Sequence, residues 1–343
     1  MQRRLALALP LSLLLVAACG DDDSGSASDA SSTTGNRLTV AVSFYPVEAV
    51  VRAVGADAVD VVALVPPGEE AHEYEPTAQQ LGELEAADIV VYLGGEFQPG
   101  VEKAIGSLPS SITRVDVLEA VEQIPFAEGD EHAEDEHTED EEHAEGEDEH
   151  TEDEEHAEGE EEHGHSHEGD DPHVWLDPAN MALMATAVAE ALGDARPDLA
   201  NDFAAAAAAY GAELTALDEE MAAGLASCET DALVTNHDAF GYLAAAYGLR
   251  TVPIAGISPS EEPSAQALEE VAEIARANNV TTIFFEQNLP DDLARTVADE
   301  IGGSVAVLDP LESLSQEQLD AGETYISVMR SNLEALRAGL RCA

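Results

Sequence analysis

Three histidines stand in three unlike settings: His72 in GEEAHEYEPT, His173 in DPHVWLDP and His237 in VTNHDAFGYL. Each lies where a strand or loop gives way to another element. Neutral imidazole is the commonest protein ligand for zinc, and three imidazoles with one oxygen make a four-coordinate site. Any one of these histidines reads equally well as a hydrogen-bonded structural residue; the three together, each beside turn residues, point to a metal. A carboxylate must complete the set. Asp309, after the apolar run Val305 to Leu308, is the first candidate, although it also reads as a turn residue before Pro310; Glu70 and Glu286 compete with it. Manganese goes with a larger share of oxygen donors, so this set favours zinc, while copper and nickel would also bind it by intrinsic affinity.

A second histidine system lies between the first two. His132, His137, His143, His150, His156, His163, His165 and His167 occupy an imperfect acidic repeat from Glu128 to Asp171, built of units such as HAEGEDEHTEDEE. The repeat has almost no apolar residue larger than alanine, so it cannot offset the entropy of ordering and reads as a disordered insertion. Without fixed geometry it is expected to offer several weak sites that capture or buffer zinc for the cleft, or sense it, rather than one tight site. The plainer reading is a solvated acidic insertion with incidental metal affinity.

The elements that must position His72, His173 and His237 follow from periodicity. Leu38–Ser43, Val59–Val65, Asp88–Leu93 and Ile112–Val117 read as strands, with helices at Tyr45–Val54 and Ala78–Ala86. The Ala/Leu/Glu-rich stretch from Pro178 to about Ala226, with Pro197 inside it, reads as a long helix or two in succession, and alternation then resumes. Strands are expected at Ala232–Thr235, Thr251–Ile254, Thr281–Phe285 and Val305–Leu308, and helices at Ala239–Tyr247, Ser264–Ala277, Pro290–Ile301 and Gln316–Leu340. Periods switching between two and about 3.6 mark βαβ units. The expected fold is α/β: two Rossmann-like lobes with parallel sheets joined by a long rigid helix, and the metal in the interlobe cleft at the carboxyl ends of the strands. The boundaries are a signal peptide at 1–18, a lipidated cysteine and tether at 19–36, an N-terminal lobe at 37–177 containing the 128–171 loop, a connecting long helix at 178–226, and a C-terminal lobe at 227–343.

The N-terminus, MQRRLALALPLSLLLVAAC, has the paired arginines and short apolar run of a secretory signal, and Val-Ala-Ala-Cys reads as a lipobox with Cys19 as the lipidated residue. Cys228 and Cys342 remain, in an oxidising compartment, and are expected to pair. The formal charge of −59 argues against nucleic acid as a partner; the acidic repeat supplies 25 acidic residues and no Lys or Arg, so the rest still stands at −34.

The stretches PPGEEAHEYEPT, DPHVWLDP, VTNHDAFGYLAAAYGL, GISPSEEPS, FFEQN, LDPLE and TYISVMRSNLEAL, spread over residues 38–343, resemble the zinc-binding, ZnuA-type members of the metal-specific solute-binding proteins (cluster A-I) of bacterial ABC importers. The resemblance implies that His72, His173 and His237 hold Zn2+ as transported ligand, with Asp309 as a frequent fourth. Manganese members carry a Glu in place of the third histidine; His237 stands there in this chain. It also implies two lobes joined by a long rigid helix, a histidine-rich loop, and an ABC permease with its ATPase as partners of a monomeric receptor, lipid-anchored to the outer face of the cytoplasmic membrane. One departure is LGGEF at Leu93–Phe97, where the zinc branch often has Asn-Gly and a Trp; packing near the cleft is where this should tell. No catalysis is expected: a zinc hydrolase needs a bound water and a general base, HExxH is absent, and no further carboxylate is tied to the site by spacing. A manganese receptor, a surface adhesin and a zinc-buffering lipoprotein are the alternatives.

Overall fold

In the computed structural model residues 37–125 and 170–343 are described. The signal segment, Cys19 with its tether, and the eight histidines of the acidic repeat lie outside the described residues.

The first lobe is a parallel sheet in the order β2-β1-β3-β4, from β1 (Leu38–Val42), β2 (Val59–Ala63), β3 (Ile89–Tyr92) and β4 (Thr113–Asp116). A strand between two helical layers needs apolar side chains on both faces. Val40 and Val42 of β1 and Val91 of β3 join the core on one face, while Ala41 and Val90 join a second core on the other. Helix α1 (Tyr45–Gly55) starts on Pro46, and α2 (Ala78–Ala86) on a capping box in which Thr77 and Gln80 satisfy each other's backbone N–H groups. The lobe also has a helix at Pro99–Gly106, α3, absent from the sequence reading.

The span 178–226 is not one helix. It divides into α4 (Pro178–Ala195) and α5 (Ala200–Leu225) around Pro197, whose ring and missing N–H cannot continue a helix. The two form an antiparallel hairpin: Gly193 lies against Ala200, and Gly211 against Ala182. The 26 residues of α5 give it a length of about 39 Å. Both helices pack on α1, and α5 also packs on the last helix of the second lobe.

In the second lobe β5 (Ala232–Thr235) pairs with β6 (Arg250–Pro253), and β7 (Thr282–Phe285) with β8 (Ser304–Val307), all parallel. Helices α6 (Gly241–Tyr247), α7 (Ala265–Ala277) and α8 (Asp292–Ile301) connect them. The expected helix over 316–340 is two: α9 (Gln316–Asp320) and α10 (Tyr325–Gly339), separated by Gly322 at a positive φ and a fresh capping box at Thr324. Cys228 and Cys342 form a disulfide across a separation of 114 residues, tying the end of α5 to the segment after α10. Among the described residues no helix is long and apolar enough to cross a membrane.

Candidate metal centre

The three histidines arrive on three different supports. His72 rides on the loop between β2 and α2, whose backbone is organised by Glu70: the N–H groups of His72 and Glu73 donate to its two carboxylate oxygens at 2.7 and 2.8 Å. Glu70, an alternative ligand in the sequence reading, is thus occupied in shaping the loop. His173 precedes a single 3-10 turn, Val174–Leu176. That turn is locked by Trp175, which is fully buried and donates from Nε1 to Pro310 O at 2.7 Å, while the Tyr325 hydroxyl donates to Trp175 O at 2.7 Å. His237 follows β5, with Thr235 Oγ1 donating to its carbonyl at 2.9 Å.

These supports bring the imidazoles together. His173 and His237 are fully buried and His72 nearly so, with ring centroids 5.3–5.8 Å apart. The carboxylate among them is Glu312. Its Oε1 lies 3.1 Å from His237 Nε2, 3.4 Å from His72 Nε2 and 3.7 Å from His173 Nε2. His72, His173, His237 and Glu312 are the group, among the described residues, able to hold a metal ion. Zinc bonds of 2.0–2.2 Å to nitrogen and oxygen set the edges of a tetrahedron at about 3.3–3.5 Å. The three nitrogen–oxygen distances straddle that value. His173 Nε2 is buried without a hydrogen-bond partner, which is costly for a polar atom unless a ligand completes it.

Asp309 stands aside from this group. Its Oδ1 accepts from Leu311 N–H at 2.8 Å and its Oδ2 from Gln318 Nε2 at 2.9 Å, and its backbone is clamped on both sides by Asn332. The bond to Leu311 holds that residue in the left-handed region at φ 61°, a conformation costing a leucine roughly 1–2 kcal/mol. The resulting reversal turns the next residue, Glu312, into the cleft. Asp309 therefore shapes the loop that delivers a carboxylate. The motif LDPLE contains both acids, and its Asp-Pro pair signals a turn without saying which acid the turn directs to the site.

Carboxylates also sit behind the rings. Asp171 Oδ1 accepts from both the backbone N–H and Nδ1 of His173, at 2.9 and 2.8 Å; Glu286 Oε1 lies 2.5 Å from His237 Nδ1. A proton held on Nδ1 leaves Nε2 bare for a metal and fixes the ring's orientation. Glu286, the other alternative ligand, thus acts through His237. Asp170 and Asp171, the last residues of the acidic repeat as read from sequence, belong to the folded part: Asp170 bridges Pro125 and Asp171 is buried. Phe97, of the divergent LGGEF segment, places its ring 4.5 Å from that of His72 and 5.1 Å from that of Trp175.

The titration of these groups is set by burial and by one another. Burial pushes His173 down, against the pull of Asp171. Burial would also lower His237, but the charge and hydrogen bond of Glu286, with those of Glu312, carry it well above the usual histidine value. Burial would raise Glu312, yet the His72 charge and the His237 hydrogen bond hold it well below the carboxylate range. Glu286 is raised, chiefly by burial. His237 faces a carboxylate from each ring nitrogen, Glu286 at Nδ1 and Glu312 at Nε2. A cavity of about 260 Å³, lined by Gly68, Glu70, Glu286, Asn288 and Asp309 among others, adjoins Glu312.

Two parallel α/β lobes with a buried cluster of three histidines and one carboxylate between them define a two-lobed protein able to hold one metal ion. The chain belongs to the ZnuA family, described as zinc-uptake complex component A, periplasmic, whose pattern it matches over residues 40–339. It is 37% identical over 301 residues to the zinc-binding lipoprotein AdcA of Streptococcus pneumoniae, an overlap of 88% of this chain and 55% of AdcA. It is 35% identical over 330 residues to the high-affinity zinc uptake system protein ZnuA of Bacillus subtilis, covering 95% of this chain and 94% of that protein. The chain thus spans about half the length of the AdcA relatives. Its fold resembles the crystal structure of the Zn(II)-bound ZnuA-like domain of S. pneumoniae AdcA, with a TM-score of 0.69 and 33% identity over 89% of this chain and 99% of that one.

Proposed function

We propose that the chain is an extracytoplasmic receptor that binds one Zn2+ through His72, His173, His237 and Glu312 and passes it to the permease of an ABC importer. The observation that carries this reading is the convergence of three Nε2 atoms on Glu312 Oε1 at tetrahedral-edge distances, with His173 Nε2 otherwise unpartnered. Three nitrogen donors favour zinc over manganese. Four protein donors fill a tetrahedral site, whereas a catalytic zinc keeps a position open for water, so the arrangement suits capture and release rather than turnover. The signal segment and Cys19 suit a lipid-anchored protein outside the cytoplasmic membrane, and the family description, a component of a zinc-uptake complex, supports the ABC partners.

The acidic repeat supplies weak zinc sites that feed the cleft. What supports this is where it is rooted: Pro125, just before it, is paired with Asp170 near its end, and Asp171 hydrogen-bonds His173. The test is growth of a strain lacking this protein in zinc-depleted medium. Complementation by the intact chain, failure by His237→Ala, and slower growth at the lowest zinc with residues 128–169 deleted are expected. Full complementation by His237→Ala would remove the receptor reading; no growth effect of the deletion would remove the feeding role.

A further inference from the structure

Ser313 follows the ligand Glu312 and faces the opposite side of the cleft. Its Oγ accepts from Gly68 N–H at 2.8 Å and donates to Pro66 O at 3.4 Å. Both partners belong to one turn, closed by Glu69 N–H donating to Pro66 O at 3.2 Å. Pro67 takes the first corner and Gly68 the second, at φ 78°, the geometry of a type II turn, in which the second corner favours glycine. Gly68 N–H takes no part in closing that turn, and the serine supplies its acceptor. A Cβ on Gly68 would meet nothing closer than Ser315 Cα at 3.8 Å, so the glycine is there for its dihedral rather than for space. Four residues further on, the same loop presents His72.

The three imidazoles are anchored unequally. His173 and His237 are each tied through Nδ1 to a buried carboxylate. His72 depends on its loop, on the turn around Glu70 and on the edge of Phe97. For a buried ion to leave, a ligand must detach, and the loop of His72 can move without breaking either of the Nδ1–carboxylate pairs that hold His173 and His237. What keeps that loop against the Glu312 segment is then decisive. Ser313 is 7% exposed and uses both its donor and its acceptor there. A second bond across the cleft, Ser260 Oγ to Glu73 Oε1 at 2.7 Å, joins exposed residues, where water replaces either partner at little cost.

We infer that the Ser313 hydroxyl is a positioning group that holds the His72 loop against the Glu312 segment and so sets the rate at which bound zinc is released. This deepens the receptor reading and rests on it. The experiment mixes the zinc-loaded full chain with excess chelator in a stopped-flow instrument, for wild type, Ser313→Ala, Ser313→Thr and Ser260→Ala, and records melting temperatures with and without zinc. One lost buried hydrogen bond corresponds to release about five- to tenfold faster in Ser313→Ala. Ser313→Thr, which keeps the hydroxyl, and Ser260→Ala stay within twofold of wild type. Ser313→Ala lowers the melting temperature of the zinc-loaded form more than that of the zinc-free form, because the ion ties both sides of the lost bond to one site. Release from Ser313→Ala within twofold of wild type overturns the inference. So does a threonine variant as fast as the alanine one, or an equal loss of melting temperature with and without zinc. A wild-type protein with no zinc to release, or with zinc held independently of His237, sinks the receptor reading itself, before any Ser313 variant is compared.

Discussion

Zinc binding should expel about one proton, and that proton should come from His237. Both nitrogens of His237 face carboxylates, Glu286 at 2.5 Å and Glu312 at 3.1 Å, whose charges and hydrogen bonds raise its pKa well above the usual histidine value against the effect of burial. Zinc requires Nε2 bare. His173 should contribute no proton, since burial lowers its pKa against the pull of Asp171 and its Nε2 has no hydrogen-bond partner. Below the His237 pKa, each unit of pH therefore costs a factor of ten in apparent affinity, about 1.4 kcal/mol, and the plateau lies above pH 6.5. The assay is calorimetric titration with zinc at neutral pH in buffers of differing ionisation enthalpy, where the slope counts protons released. Glu286→Gln removes the charge that holds the proton. It should lower the release toward zero and weaken zinc about 10–100-fold through the lost orientation of the ring. Zero protons released by wild type, or an unchanged count in Glu286→Gln, would refute the reasoning.

The zinc-free protein should show the opposite pH trend. The raised His237 stabilises the fold fully below its unfolded value of 6.5 and loses that contribution as pH rises through the folded one. Glu312, depressed, contributes above 4.5 and loses it as pH falls through its folded value, so melting temperature without zinc should peak between roughly pH 4.5 and 6.5. Glu312→Gln should weaken zinc more than 100-fold, beyond the range for carboxylates that act through a ligand, whereas Asp309→Asn, which leaves all four ligands and only loosens the Leu311 turn, should cost about tenfold; competition with a chromogenic chelator ranks them. Replacing Cys228 and Cys342 by serine frees a loop closed across 114 residues, a loss of about 4.8 kcal/mol in the chain-entropy description, or about 10 °C in melting temperature by calorimetry.

Much of the site was legible because its chemistry depends on residue type and setting. His72, His173 and His237 stand at element ends, and the fold brings those ends together. The parallel strands of the first lobe were visible in apolar runs that are buried on both faces, as Val40, Ala41 and Val42 show. That Glu312 rather than Asp309 stands among the three histidines was hidden by backbone geometry. A left-handed leucine is rare, and nothing in LDPLE announces that Leu311 adopts one. The supporting carboxylates were invisible for another reason. Glu286 lies 49 residues from His237 in the chain, and only tertiary packing pairs them. Asp171 was submerged in a run of like residues, with nothing in its type to separate the buried acid from the solvated ones. Pro197 marked the division of 178–226 and left two helices in succession open, whereas at Gly322 the helical periodicity on either side outweighed the glycine.

The most direct test is a zinc-edge anomalous difference map from crystals of the zinc-loaded protein. A single peak in the cleft, within 2.3 Å of Nε2 of His72, His173 and His237 and of a Glu312 carboxylate oxygen, is the predicted result. Zinc coordinated by Asp309 in place of Glu312, or no zinc between the lobes at all, would contradict the account.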